Sequence, residues 1–125
     1  MRGRLTYSIG NEYNPANPFG RSVLVVEPDG AARLDQYRVG QHDSWNGVVP
    51  DETLEQLWAA LDQAGFPVVA RPERLLPDAT TCSIAVRGPD GGEATAQLEF
   101  HSAQKLLGYA EAVRLLETMC RTVRA

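Results

Sequence analysis

Leu5, Tyr7 and Ile9 alternate with Arg4, Thr6 and Ser8, the period-two signature of a strand with one wet face. Ser22-Val23-Leu24-Val25-Val26-Glu27 follows as a β-branched run, which suits a strand covered on both faces or nearly so. Pro28-Asp29-Gly30 then supplies turn chemistry, because proline presets φ and glycine accepts the positive φ that closes a hairpin. Ala32, Leu34 and the stretch from Tyr37 to Val39 read as the returning strand. Farther along, Cys82, Ile84 and Val86 share one face of a strand over Thr80 to Arg87, and Gly88-Pro89-Asp90-Gly91-Gly92 is a second hairpin tip. Ala94, Ala96, Leu98 and Phe100 mark the strand that returns from it, with alanines small enough to let a helix pack closely.

Two segments carry the helical period instead. Leu54, Leu57, Trp58 and Leu61 fall at i, i+3, i+4 and i+7 and draw a single apolar stripe. Asp51 is expected to cap that helix, with Thr53 and Gln56 offering a capping box as a second reading of the same start. At its far end Gly65 suits the left-handed position after the last turn, Phe66 is placed to touch Leu61, and Pro67 forbids continuation. Between Ser102 and Arg124, the residues Leu106, Tyr109, Val113, Leu116, Cys120 and Val123 repeat at coiled-coil spacing. Gly108 weakens the first turns of that segment, so the helix is expected to begin near Tyr109. Its seam packs either on the chain's own sheet or on a second subunit, which leaves monomer and homodimer both open.

Three stretches lack either period. Asn11 to Gly20 holds two Asn-Pro steps and reads as an ordered loop. Gly40 to Pro50 reads as a second polar loop, and Val68-Val69-Ala70 as a short edge strand within a connector. The expectation is a single α+β domain over 1–125 with a four- or five-stranded antiparallel sheet. Its order is strand, hairpin, helix, hairpin, helix, with both helices on one face.

Composition narrows the classes. The 125 residues suffice for one real core, with 43% hydrophobic and 22% charged positions. A net charge of −4 argues against nucleic acid or an anionic membrane as partner. No apolar stretch is long enough to span a bilayer, and the basic start has no hydrophobic region behind it. Cys82 and Cys120 both sit at core-facing positions, as reduced structural thiols would, and a cytoplasmic location follows from that reading.

Candidate chemistry is sparse. His42, Asp43 and Ser44 are the residue types of a hydrolase triad, but adjacent side chains diverge and cannot line up base, orienter and nucleophile. His101 fits a capping or surface role. The histidines and cysteines have no metal-ligand spacing, so neither a catalytic residue nor a metal or cofactor is assigned. What needs explaining is the set of aromatics in polar loops. Tyr13, Phe19, His42 and Trp45 are the candidate partner-binding residues, since aromatics gathered on loops anchor protein interfaces. The competing reading has Phe19 and Trp45 folding inward to plug the open end of the sheet.

The leucine-rich helix ending in Ala64-Gly65-Phe66, the proline-containing link, the strand Cys82-Ser83-Ile84-Ala85-Val86, the Gly-rich tip and the C-terminal amphipathic helix together resemble the emfourin group of small bacterial α+β proteins. The resemblance covers about the last two thirds of the chain and implies a protein partner, with inhibition of a metalloprotease as the activity. The order of elements also resembles that of immunity proteins of toxin systems and, apart from a missing N-terminal helix, of type III secretion chaperones, and these are the alternative binding modules. A small enzyme of another type is the third reading.

Overall fold

The structure is a computed structural model that describes residues 3–10, 20–38, 40–66, 81–88, 91–99 and 108–124. Tyr13, Phe19, His101, Leu106 and the expected edge strand at Val68–Ala70 lie outside the described residues.

Six strands form one antiparallel sheet: β1 (Arg4–Gly10), β2 (Arg21–Val26), β3 (Ala31–Arg38), β4 (Gln41–Val48), β5 (Thr81–Arg87) and β6 (Glu93–Glu99). Their order across the sheet is β4-β3-β2-β1-β5-β6. The helices are α1 (Asp51–Ala64) and α2 (Tyr109–Arg124). This is the expected α+β class, with one strand more than the sequence suggested.

The extra strand is β4, and it corrects the reading of Gly40 to Pro50 as a loop. A two-residue link, 39–40, turns the chain so that Gln41 stands opposite Arg38 and every residue to Val48 pairs with β3. Gly40 takes φ 75° there, which a residue with a Cβ adopts only under strain. The strand is hard to read because Gln41 to Gly47 contains no β-branched residue and Val39-Gly40 has no asparagine or aspartate to signal a turn. As an edge strand it needs little apolar character: of the positions facing the helices, only Trp45 and Gly47 are even partly buried.

Register puts most of the large apolar strand residues on one side, with Val23, Val25 and Val48 on the other. One row runs Trp45, Leu34, Leu24, Tyr7, Ile84, Ala96 across all six strands, and the next runs Gly47, Ala32, Val26, Leu5, Val86, Ala94. Leu54, Leu57, Ala60 and Leu61 of α1 join these rows in one core, as do Tyr109, Val113, Leu116 and Cys120 of α2.

The β2–β3 and β5–β6 hairpins share a design. Gly30 N–H donates to Glu27 O at 3.0 Å and Gly91 N–H to Gly88 O at 3.1 Å, each tip carrying the sequence Pro-Asp-Gly. Asp29 Oδ1 accepts the Ala31 N–H at 3.0 Å, which locks the first tip.

Helix α1 ends as its sequence implies. The Gly65 N–H reaches Asp62 O and the Phe66 N–H reaches Leu61 O, each at 3.1 Å, a Schellman closure. Its start differs from expectation. Pro50 occupies the cap position with no side-chain bond, and Asp51 is the first helical residue. Asp51 and Glu52 therefore act through their charge on the positive end of the helix. Helix α2 begins at Tyr109, and Gly108 before it is there for contact as well as conformation. At φ 79°, a Cβ added to Gly108 would sit 2.4 Å from Ala64 N, so the helices could not approach this closely with any other residue.

Candidate functional site

The side of the sheet turned away from the helices carries two mostly polar rows at one corner. Across β4, β3, β2 and β1 the first is His42, Tyr37, Arg21, Gly10, and the second is Ser44, Asp35, Val23, Ser8. Direct opposition of Tyr37 and His42 stacks their rings, with centroids 4.5 Å apart and planes 7° from parallel. Arg21, opposite Tyr37 on the other side, lays its guanidinium 5.3 Å from the phenol ring centre. Three flat groups from three strands thus stand in one stack.

Asp35 fixes the stack from the neighbouring row. Its Oδ1 lies 2.9 Å from His42 Nε2, a diagonal contact between β3 and β4. An ionised carboxylate only accepts, so Nε2 carries the hydrogen. Arg33, two residues back on the same face, donates from Nε at 3.1 Å to Oδ2 and from Nη2 at 3.2 Å to Oδ1. Ser44, directly opposite, donates its hydroxyl as well. Burial alone would raise the Asp35 pKa, but bonds from His42, Arg33 and Ser44 more than offset it and hold the carboxyl below its ordinary value. The carboxylate is only 11% exposed, whereas His42 and Arg33 are 47% and 58% exposed. A shielded anion is thereby ringed by groups that reach solvent.

This geometry decides the triad question raised by His42, Asp43 and Ser44. The histidine pairs with Asp35, and Asp43 stands on the opposite face of β4. The Ser44 hydroxyl is directed at the same carboxylate, so the histidine does not activate it. Among the described residues no three of His, Cys, Asp and Glu gather closely enough to hold a metal ion. No described helix is long and apolar enough to cross a membrane.

Of the four residues singled out from sequence, His42 and Trp45 are described, and β4 sends them to opposite faces. His42 joins the Asp35 cluster, while Trp45 is partly buried and packs against the core. Arg21, Arg33, Asp35, Tyr37 and Ser44 were missed. Their advance signal was that Arg33, Asp35 and Tyr37 share the parity opposite to that of Ala32 and Leu34.

Inside the core a second polar contact links the layers. Tyr7, fully buried, donates its hydroxyl to Glu117 Oε1 of α2 at 2.7 Å. Burial first, then this bond and the glutamate's charge, push the phenol far above its ordinary pKa. Cys82 and Cys120 are buried and not disulfide-bonded, as expected. Compared with protein-family models and with curated proteins, the sequence matches none.

Proposed function

We propose that this chain is a protein-binding module and that it meets its partner through the outer face of β2, β3 and β4, centred on Tyr37 and His42. The observation that carries this reading is the Arg21–Tyr37–His42 stack held by Asp35. Tyrosine and arginine are the side chains that most often anchor interfaces. Groups already fixed by their neighbours lose little conformational freedom on binding, so more of the contact energy appears as affinity. Inhibition of a metalloprotease is the specific activity implied by the resemblance to emfourins, and a cytoplasmic location accords with the two buried thiols. Trp45 contributes through stability, from the helix side of β4.

The test is a paired affinity purification from the native host with wild-type chain and Tyr37→Ala. A protein retained in stoichiometric amount by the wild type is expected to be lost with the variant, since truncating an interface anchor costs about 2 kcal/mol or more. Retention of the same protein by both chains would sink the proposed surface. Where that partner is a metalloprotease, addition of the chain should abolish peptide hydrolysis at a 1:1 ratio.

A further inference from the structure

At the other corner of the outer face, the row nearest the Pro-Asp-Gly tips reads Glu27, Arg4, Arg87, Glu93 from β2 to β6. Arg4 and Arg87 are direct partners in the β1–β5 register, and Arg87 and Glu93 are partners across β5–β6. Each arginine leans outward to its own acid: Arg4 Nε lies 2.8 Å from Glu27 Oε1, and Arg87 Nη2 lies 3.7 Å from Glu93 Oε2. The order of charges is therefore minus, plus, plus, minus. Like charges set opposite one another weaken a strand pair, and the two glutamates offset that repulsion from the outer sides while leaving the two cations adjacent at the middle of the row.

A cleft of about 250 Å³ opens at that point, lined by Arg4, Thr6, Ala85, Arg87 and Glu93. Thr6 and Ala85 face each other across the same two strands, and their small side chains form the floor. Each guanidinium has five N–H donors, and among the described residues each is paired with one neighbouring acid. With exposures of 56% and 62%, both arginines can adjust to a guest without unpacking anything.

We propose that this cleft binds a singly charged carboxylate group, seated between Arg4 and Arg87 above Thr6 and Ala85. A carboxylate is planar and accepts paired N–H bonds from guanidinium forks. Glu93 at the rim limits the guest to one negative charge, which disfavours a phosphate dianion. The site stands apart from the Tyr37–His42 cluster and does not rest on the function proposed above. The carboxylate belongs either to a free small acid or to an aspartate or glutamate of another protein.

The test is an NMR titration of the full chain with sodium acetate, against sodium chloride at equal ionic strength. Acetate is expected to give saturating shifts at the Thr6, Ala85 and Arg87 amides, and chloride only a linear drift. Arg4→Gln and Arg87→Gln should each weaken binding about tenfold, the worth of one charged hydrogen bond, with unchanged dispersion of the remaining spectrum. Phosphate above its second pKa should bind more weakly than acetate. Tighter binding of an acetylated glutamate amide than of butyrate, which carries the same single carboxylate, assigns the guest to a protein side chain, and the reverse order assigns it to a free monocarboxylic acid. Equal shifts with chloride, or an acetate titration unchanged in the Arg4→Gln/Arg87→Gln double variant, would overturn the site and leave a solvated charge ladder.

Discussion

On the helix side of the sheet, the row Trp45, Leu34, Leu24, Tyr7, Ile84, Ala96 is apolar from edge to edge. One residue along, on the other side, the row Ser44, Asp35, Val23, Ser8, Ser83, Gln97 uses the same six strands and the same registers. The first row is stabilised by removal from water, which has no direction and tolerates exchange among side chains of similar volume. The second depends at Asp35 on four directed bonds from three side chains, each tied to one position in the register. Slippage by one residue would exchange the two rows between core and solvent, which is why the hairpin tips and the apolar pattern must agree. The helix side is thus indifferent to the exact side chain, and the outer side is exacting.

Breaking the helix side should cost most. Leu34→Ala removes a fully buried side chain opposite Leu24 and is expected to lose about 2–5 kcal/mol of unfolding free energy in denaturant titration. A loss below 1 kcal/mol would mean that this row is not the core. Tyr7→Phe is the finer cut. Deleting the hydroxyl strands Glu117, which is only half-buried and can recruit water, so about 1–2 kcal/mol is expected. The phenol pKa is raised in the folded chain, so the neutral form's contribution is full below the unfolded value of about 10 and drains away as pH rises beyond it. Thermal melts across that alkaline range should show a slope for the wild type that Tyr7→Phe flattens.

The outer face gives the smallest effect with the opposite sign in pH. Asp35 has a lowered pKa, so its contribution is present above the unfolded value of about 3.9 and disappears as pH falls through the folded one. Asp35→Asn should cost about 1 kcal/mol at neutral pH and remove that part of the acid-induced loss, since His42 and Arg33 are half exposed and well solvated without it. Acid titrations of both chains that run parallel would show that the carboxylate is not coupled to folding.

Much of the fold was legible because local signals agreed. The Pro-Asp-Gly tips, the period-two runs of β1 and β5, and the Gly65-Phe66 closure each name their own geometry. The strand β4 was not legible, because pairing with β3 is a property of the link at 39–40 and of a partner elsewhere in the chain. The same reason hid most of the cluster. His42 drew attention by residue type, yet what gives it a role is a diagonal neighbour on β3, and neighbours across a hairpin are known only once register is. Trp45 illustrates the converse: its size was noticed, and only strand parity could say which face receives it.

The position of β1 at the middle of the sheet bears on how the chain is made. Strands β2, β3 and β4 follow within a short stretch, and each can add to the strand before it as it leaves the ribosome, β2 on β1, β3 on β2 and β4 on β3. The other edge of β1 has to wait for β5, which lies beyond α1 and residues 67–80. During that interval the growing chain presents Leu5 and Tyr7 along an open strand edge, the template on which sheets add foreign strands. Arrival of the β5–β6 hairpin closes that edge. The vulnerable period of this protein's synthesis is thus set by the length of chain between β4 and β5, and lengthening that connection would prolong it.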